Sequence, residues 1–473
     1  MYLNELFEEA PKLLIEQLSC DSRLPMKNCI FFCMSGVKYD GHDYIKEAID
    51  NGANVIVYTK DIDTSYNVVF IKVKNINVAL SNAAKLLYNL GPNDIDLFIT
   101  CGCYGKSSVS SYINQLVSDS KSKASIGAYG INYADKQLKY PSATLTLLDN
   151  YRYLADIKNA GCNLCTLEVN ALSLSYNKLE GLYPKACIYT NTSQYSKDFK
   201  GFSHKYYDSL RKYLYTLEES TLLVLNRDDF SYNELISAAS NNIVTYGFDQ
   251  NSTFQILNDS YFINKTVFDI KFDNNIYHIE SPLLTKMNVY NLTAAIAAVV
   301  ESKCDTIENV IERIPNLVSP EGIIEKLDIE DKNIIIDYCY SLDSYIQIHD
   351  YFKQLKDINK LYVVMSVNYG DKAESLSKYF NYIKDISFLT IFTENMIYEQ
   401  DIHELLDEAS ICADGYNFLT IEDRNLAIKT AVDLLDKDDL LLILGKGNEI
   451  FFHKNYNKVV YEGDKNVVLE YIK

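Results

Sequence analysis

No stretch of this 473-residue chain strings together the roughly 18 apolar residues that a bilayer crossing requires, so no membrane insertion is expected. Basic residues are in deficit too. The 45 Lys and Arg stand against 64 Asp and Glu, a formal charge of −19, which argues against a nucleic-acid or anionic-membrane surface. Any polyanionic ligand must then be held by local positive groups. Proline is scarce at 8 residues while 48% of the chain is apolar, the composition of an ordered globular protein. The absence of tryptophan excludes nothing about function. The opening MYLNELFEEAPKLLIEQ carries acidic residues where a secretory leader carries basic ones, and a cytoplasmic location is expected. The 11 cysteines are odd in number and scattered, so they are expected to be reduced and mostly buried rather than paired in a disulfide framework. His42, His204, His278, His349, His403 and His453 are dispersed with no two at metal-ligand spacing, and no zinc site is expected.

What the chain does have is alternation. Its length calls for two or three domains. Up to about residue 88, short apolar strands (CIFFCMSG, ANVIVYT) mix with helical segments (DYIKEAIDNG, NVALSNAAKLLYNLG), and Gly91-Pro92 marks a boundary. Beyond it the strands DLFIT, NLCTLEV, KACIYTN and TLLVLN alternate with helices, which predicts a mainly parallel sheet covered on both faces. The segment SYFINKTVFDIKFDNNIYHIES alternates with period two and predicts an antiparallel insertion, followed by a helix at VYNLTAAIAAVVES. After Glu325 the alternation resumes with NIIIDYCY, KLYVVMSV, FLTIFTEN and DLLLILGKG. The expected architecture is therefore α/β in three parts: 1–88, a central parallel-sheet domain at 89–325, and a nucleotide-fold domain at 326–473.

The most informative stretch is DIDLFITCGCYGKSSVSSYINQL, Asp94 to Leu116. A strand feeds a glycine turn that opens a helix, the setting in which backbone N–H groups face phosphate oxygens. Lys106 would supply charge and Ser107 a ligand for magnesium. A strict eight-residue phosphate loop would begin with glycine at position 100, where this chain has Thr100. The pair Cys162 and Cys165 has redox or zinc spacing but sits in an apolar strand without a second pair, so structural cysteines are expected. Gly445 to Glu449, GKGNE, follows a strand and resembles an anion-binding turn, a weak signal alone.

Taken in order, these pieces resemble the Mur ligase family, most closely its UDP-N-acetylmuramoyl-tripeptide synthetase branch, across essentially the whole chain. The carriers are CDSR and FFCMSGVKYDGHDYIKEAIDNGA, then GCYGKSS, TLEVNALSLSYNKLEG, TNTSQYSKDFKG and NVYN, and finally IIIDYCYSLDS, FTENMIYEQD, IEDR and GKGNE. The resemblance implies UDP-sugar contacts for Ser22, His42, Thr146 and Lys178. It implies ATP contacts for Gly102, Gly105, Lys106, Ser107, Ser108, Asn288, Asn291 and Asp337, and magnesium at Ser107 and Glu168. Asn395, Gly445 and Glu449 would face the incoming amino acid, with Arg424 and Lys446 also keeping usable chemistry.

The departures from the family gather at the reacting centre. Its members phosphorylate a substrate carboxylate with ATP and let an amine displace the phosphate, with two magnesium ions offsetting the negative charge. The carbamylated lysine that supports the second metal falls on Leu210, unless the register slips to Lys212. Family histidines fall on Leu172 and Tyr340, an Asp-His pair on Tyr195-Ser196, and arginines on Ile323 and Ile397. The resulting expectation is a pseudo-ligase acting as a scaffold, able to bind UDP-muramoyl peptide or nucleotide and to associate with an active synthetase. The alternative is an active ATP-dependent ligase adding an amino acid to UDP-N-acetylmuramoyl dipeptide or a related acid.

Overall fold

The structure, a computed structural model, describes residues 1–36, 39–140, 144–192, 203–239, 242–329, 331–355 and 357–473. After the short helix Leu3–Leu6 come four short parallel strands paired in sequence order, Gln17–Ser19, Cys29–Phe32, Ala53–Tyr58 and Val69–Lys72. The helix Ile76–Tyr88 covers one face because its small and apolar side chains, Ala79, Leu80, Ala83 and Ala84, recur at helical spacing and enter one core with Ile30, Phe32, Val55 and Val57. Asn75 caps its start by accepting from two backbone N–H groups, and Asn89 ends it in the left-handed conformation.

A sheet of eleven strands follows, the largest in the molecule. At its centre Asp96–Cys101 lies between Leu164–Glu168 and Ala186–Tyr189, all parallel. Leu222–Asn226 and Asn242–Gly247 extend one side in parallel register. These strands read as unbroken apolar runs because helices bury both faces: Lys106–Leu116 and Lys286–Glu301 on one, Leu147–Asn159 and Ser203–Thr216 on the other. The period-two segment forms the antiparallel edge Phe254–Tyr261, Thr266–Phe272, Asn275–Ser281, as its alternation predicted.

The third sheet has six strands in the order Glu325–Ile329, Lys332–Asp337, Leu440–Leu444, Leu361–Val367, Leu389–Glu394, Phe418–Thr420. All pairs are parallel except the first hairpin. A small sheet, Met396–Tyr398, Phe451–Lys454 and Asn457–Val460, flanks it. The carboxyl ends of strands from both large sheets face one cleft, where open α/β sheets bind ligands.

Two charged or chargeable positions have been absorbed into packing. Arg424, expected to keep chemistry for the site, is fully buried and spent on structure. Its guanidinium holds Asp464 through Nε–Oδ1 at 2.7 Å and Nη2–Oδ2 at 2.8 Å, with Ser366 Oγ and the Leu444 carbonyl taking further N–H bonds. Leu210 is 0% exposed, within the cluster that also holds Leu174, Leu214, Leu225 and Leu235. A lysine there would bury an ammonium among leucines, whereas Lys212, two residues on, is exposed. Leu210→Lys should therefore lower stability by roughly 3–5 kcal/mol, seen as a drop in the thermal midpoint. A variant as stable as the parent would show that the packing around position 210 accommodates an ammonium.

Candidate functional site

The site is built on the turn after Asp96–Cys101. Thr100, in place of the expected glycine, is fully buried in the strand with its hydroxyl 2.9 Å from Ser110 Oγ, so it braces the strand against the following helix. The turn itself needs glycine at Gly102 and Gly105, both at positive φ. A β-carbon on Gly102 would meet Thr190 Oγ1 at 2.1 Å, and one on Gly105 would meet Asn291 Oδ1 at 2.3 Å. The Tyr104 backbone is fixed from both ends: its N–H donates to Asn191 Oδ1, and its carbonyl accepts from Thr190 Oγ1 and Asn191 Nδ2. Lys106 opens the helix Lys106–Leu116 and curls over the turn, donating to the Gly102 and Cys103 carbonyls at 2.9 and 3.0 Å.

Ser107 Oγ donates to Glu168 Oε2 at 2.7 Å. The other carboxylate oxygen accepts from the Ala128 N–H and presses on Gly127, where a β-carbon would lie 2.0 Å from it. Burial pushes the Glu168 carboxyl above its ordinary range, while the Ser107 hydrogen bond and Lys106 charge pull it down. A hydroxyl and a carboxylate this close suit one divalent cation, with phosphate and water supplying its other ligands. Among the described residues no three His, Cys, Asp or Glu side chains converge as a metal cluster.

Above the turn lies a cavity of about 300 Å³ between the second and third sheets. Gly105, Lys106, Ser107 and Ser108 line it from one side, Asn288 and Asn291 from the helix Lys286–Glu301, and Asp337 from the third sheet. All the residues assigned to nucleotide except Gly102 thus border one space. The two asparagines are committed to scaffolding: Asn288 Oδ1 accepts from Tyr112 Oη and Asn291 Nδ2, and its Nδ2 donates to the Leu284 carbonyl. Asp337 accepts from the Ile324 and Cys339 N–H groups at 2.9 and 2.7 Å. Ile324 is thereby held at φ 45°, a strained value for a β-branched residue. Ile323 and Tyr340 line the same cavity with uncharged side chains.

Sequence reasoning missed Tyr129 and Gln347, which also line it. Tyr129 sits in the GAYG turn and its hydroxyl donates to the Glu321 carbonyl, tying the second sheet to the linker before the third. The glycine-flanked tyrosine was the available signal.

The remaining assignments lie elsewhere. His42 is held on both ring nitrogens, Nδ1 by Asp40 at 2.6 Å and Nε2 by the Thr59 N–H at 3.1 Å. Ser22 Oγ donates to Glu47. Thr146 caps the helix Leu147–Asn159 with Asp149, and Lys178 reaches Thr144 with its ammonium lowered in pKa by burial. Asn395 bridges the Gly445 carbonyl and the Lys446 ammonium, and Glu449 stands 3.6 Å from that ammonium. Burial brings Lys446 down to about 8. Ile397 is packed in the core of the third sheet, and Leu172 is exposed. Tyr195 and Ser196 lie outside the described residues.

Comparison with known proteins places these features in a lineage. Three family models match in sequence order: the catalytic domain of the Mur ligase family at residues 14–91, the Mur ligase middle domain at 99–299, and the Mur ligase glutamate ligase domain at 324–447. The chain belongs to the Mur ligase family and has its three-domain α/β architecture. It is similar to UDP-N-acetylmuramyl-tripeptide synthetase 2 of Oceanobacillus iheyensis, 27% identical over 464 residues, covering 96% of this chain and 94% of that protein. It is also similar to the UDP-N-acetylmuramoyl-L-alanyl-D-glutamate–2,6-diaminopimelate ligase of Fusobacterium nucleatum, at 26% over 91% and 88% of the two chains. A solved ligase of the latter kind superposes with a TM-score of 0.78 at 21% identity, covering 100% of this chain and 98% of its own.

Burial raises the Asp337 carboxyl to about 6, against the two N–H bonds that favour its charged form. A raised carboxyl pKa penalises the ionised folded state, so its penalty is absent below pH 4 and builds as pH rises toward 6. Measured by urea midpoint, the parent should lose up to about 3 kcal/mol relative to Asp337→Asn between pH 4 and 7. A difference between the two proteins that does not change with pH would contradict this.

Proposed function

We propose that this chain is a nucleotide-binding Mur ligase homologue of peptidoglycan precursor synthesis that no longer ligates. It would act as a scaffold, holding nucleotide or UDP-muramoyl peptide and associating with an active synthetase. Its boundaries in this reading are 1–88 for the UDP-sugar part, 89–325 for the nucleotide part and 326–473 for the third. The observation that carries the reading is Leu210, fully buried where the family has its metal-supporting lysine. Forming an acyl phosphate brings a carboxylate against a triphosphate, and preorganised positive charge must meet that repulsion. Here Lys106 is left with one cation cradle at Ser107 and Glu168, and with Ile323 and Tyr340 where the family has arginine and histidine.

When bound, a nucleotide would supply the phosphates for this turn to hold, and magnesium would screen their charge. The chain's own part is to seat phosphates on the N–H groups around Gly105 with Lys106 beside them, and to offer Asp337 to ribose hydroxyls. A second reading, an active ligase of a UDP-muramoyl dipeptide, draws support from the intact Ser107–Glu168 pair and from coverage of relatives over nearly their whole length. A cytoplasmic location accords with both readings. No helix among the described residues is long and apolar enough to cross a membrane.

Two measurements separate the readings. Calorimetric titration should show nucleotide binding that weakens by about tenfold or more in Lys106→Ala, the loss expected of a charge-assisted contact. Incubation with ATP, magnesium, UDP-N-acetylmuramoyl-L-alanyl-D-glutamate and each common third-position amino acid should release no phosphate above background. Robust amino-acid-dependent release would establish the active ligase instead.

A further inference from the structure

The cavity over the phosphate turn has a neighbour. A second chamber of about 270 Å³ opens beyond it, lined by Thr190, Asn191, Thr192 and Asn226 at the carboxyl ends of the adjoining strands. The two chambers share four residues: Tyr104, Met287, Asn291 and Gln347. Of these only Tyr104 belongs to the phosphate turn, immediately before Gly105 and Lys106. Its backbone is clamped by three hydrogen bonds to Thr190 and Asn191, so the side chain projects from a fixed point on the boundary.

Resting on the nucleotide-binding reading, we propose that Tyr104 is a specificity-determining residue that closes the phosphate end of the cleft, so that the site takes a nucleoside diphosphate in preference to a triphosphate. The reasoning is steric and electrostatic. Asp337 and Lys106 line the first chamber and Tyr104 stands where it meets the second, so a nucleotide held with its ribose toward Asp337 would extend each added phosphate past Lys106 toward the divide. There the phenol would compete with a terminal phosphate for volume. Charge points the same way: Lys106 is the cation among the residues lining the first chamber, Asp337 is an acid there, and Glu168 lies just behind Ser107. In the second chamber the acids Asp343 and Asp350 outnumber the one lysine, Lys286, whose ammonium lies 4.5 Å from the centre of the Phe248 ring, so the extra negative charge of a triphosphate over a diphosphate gains no net positive surroundings; Ile323 lines the first chamber where the resemblance expects an arginine.

The test is paired calorimetry of the full chain with ADP and with ATP, both in magnesium, for the parent, Tyr104→Asn and Tyr104→Phe. The parent should bind ADP at least as tightly as ATP. Tyr104→Asn should shift the affinity ratio toward ATP by about tenfold, the discrimination a single steric block supplies, and Tyr104→Phe, which keeps the bulk, should leave the ratio unchanged. A parent that prefers ATP, an Asn variant with the parent's ratio, or a Phe variant that shifts like Asn would each overturn the assignment while leaving nucleotide binding intact. If neither nucleotide binds any of the three proteins, the nucleotide reading fails and the inference falls with it. Matching thermal midpoints would show that all three are folded alike.

Discussion

Two points where no side-chain carbon fits set the geometry of the cleft. At Gly102 the turn runs against Thr190 and Asn191, and at Gly105 against Asn291. These contacts lock the turn between the central strands of the large sheet and the helix Lys286–Glu301. Everything chemical is then placed relative to that lock: Lys106 and Ser107 open the next helix, Glu168 meets Ser107 from the neighbouring strand, and the asparagine pair buttresses the turn from above. Close packing of this kind leaves the turn little room to shift.

Several side chains are taken up by packing instead. Leu210 fills the core, Ile397 is buried in the third sheet, and Arg424 and Asp464 satisfy one another away from solvent. Breaking that buried ion pair from one side would cost about 3–5 kcal/mol, since the surviving charge would be left without a partner. The cavity walls at Ile323 and Tyr340 present no charge to a ligand. The cleft combines a phosphate turn and one lysine, Lys106, with walls that offer a ligand no further cation among the described residues.

The alternation of strands and helices was legible because strands buried on both faces read as apolar runs, as at DLFIT and DLLLILG, and the antiparallel edge because its outer face is wet. The turn was legible because glycines with Lys-Ser after a strand have few other uses. What was not legible depended on residues far apart in sequence. Arg424 finds Asp464 forty positions away, and nothing local in IEDR announces that its charge is already taken. The left-handed Ile324 has no sequence signature, since the Asp337 carboxylate that accepts its N–H comes from the strand Lys332–Asp337, thirteen positions on. Tyr129 and Gln347 reach the cavity from separate units, so only the assembled fold brings them to Lys106.

A cleft that seats nucleotide without driving acyl-phosphate formation never moves the γ-phosphoryl group of ATP. Positional isotope exchange reads that step without needing the right amine. ATP labelled with oxygen-18 at the β–γ bridge is incubated with the protein, magnesium and a saturating UDP-N-acetylmuramoyl-L-alanyl-D-glutamate, and scrambling of the label into the β non-bridge positions is followed. A cleft that only binds should give no scrambling beyond that of a protein-free control. Scrambling that depends on the acid substrate would mean that the γ-phosphoryl group is being passed reversibly to its carboxylate, and would contradict it.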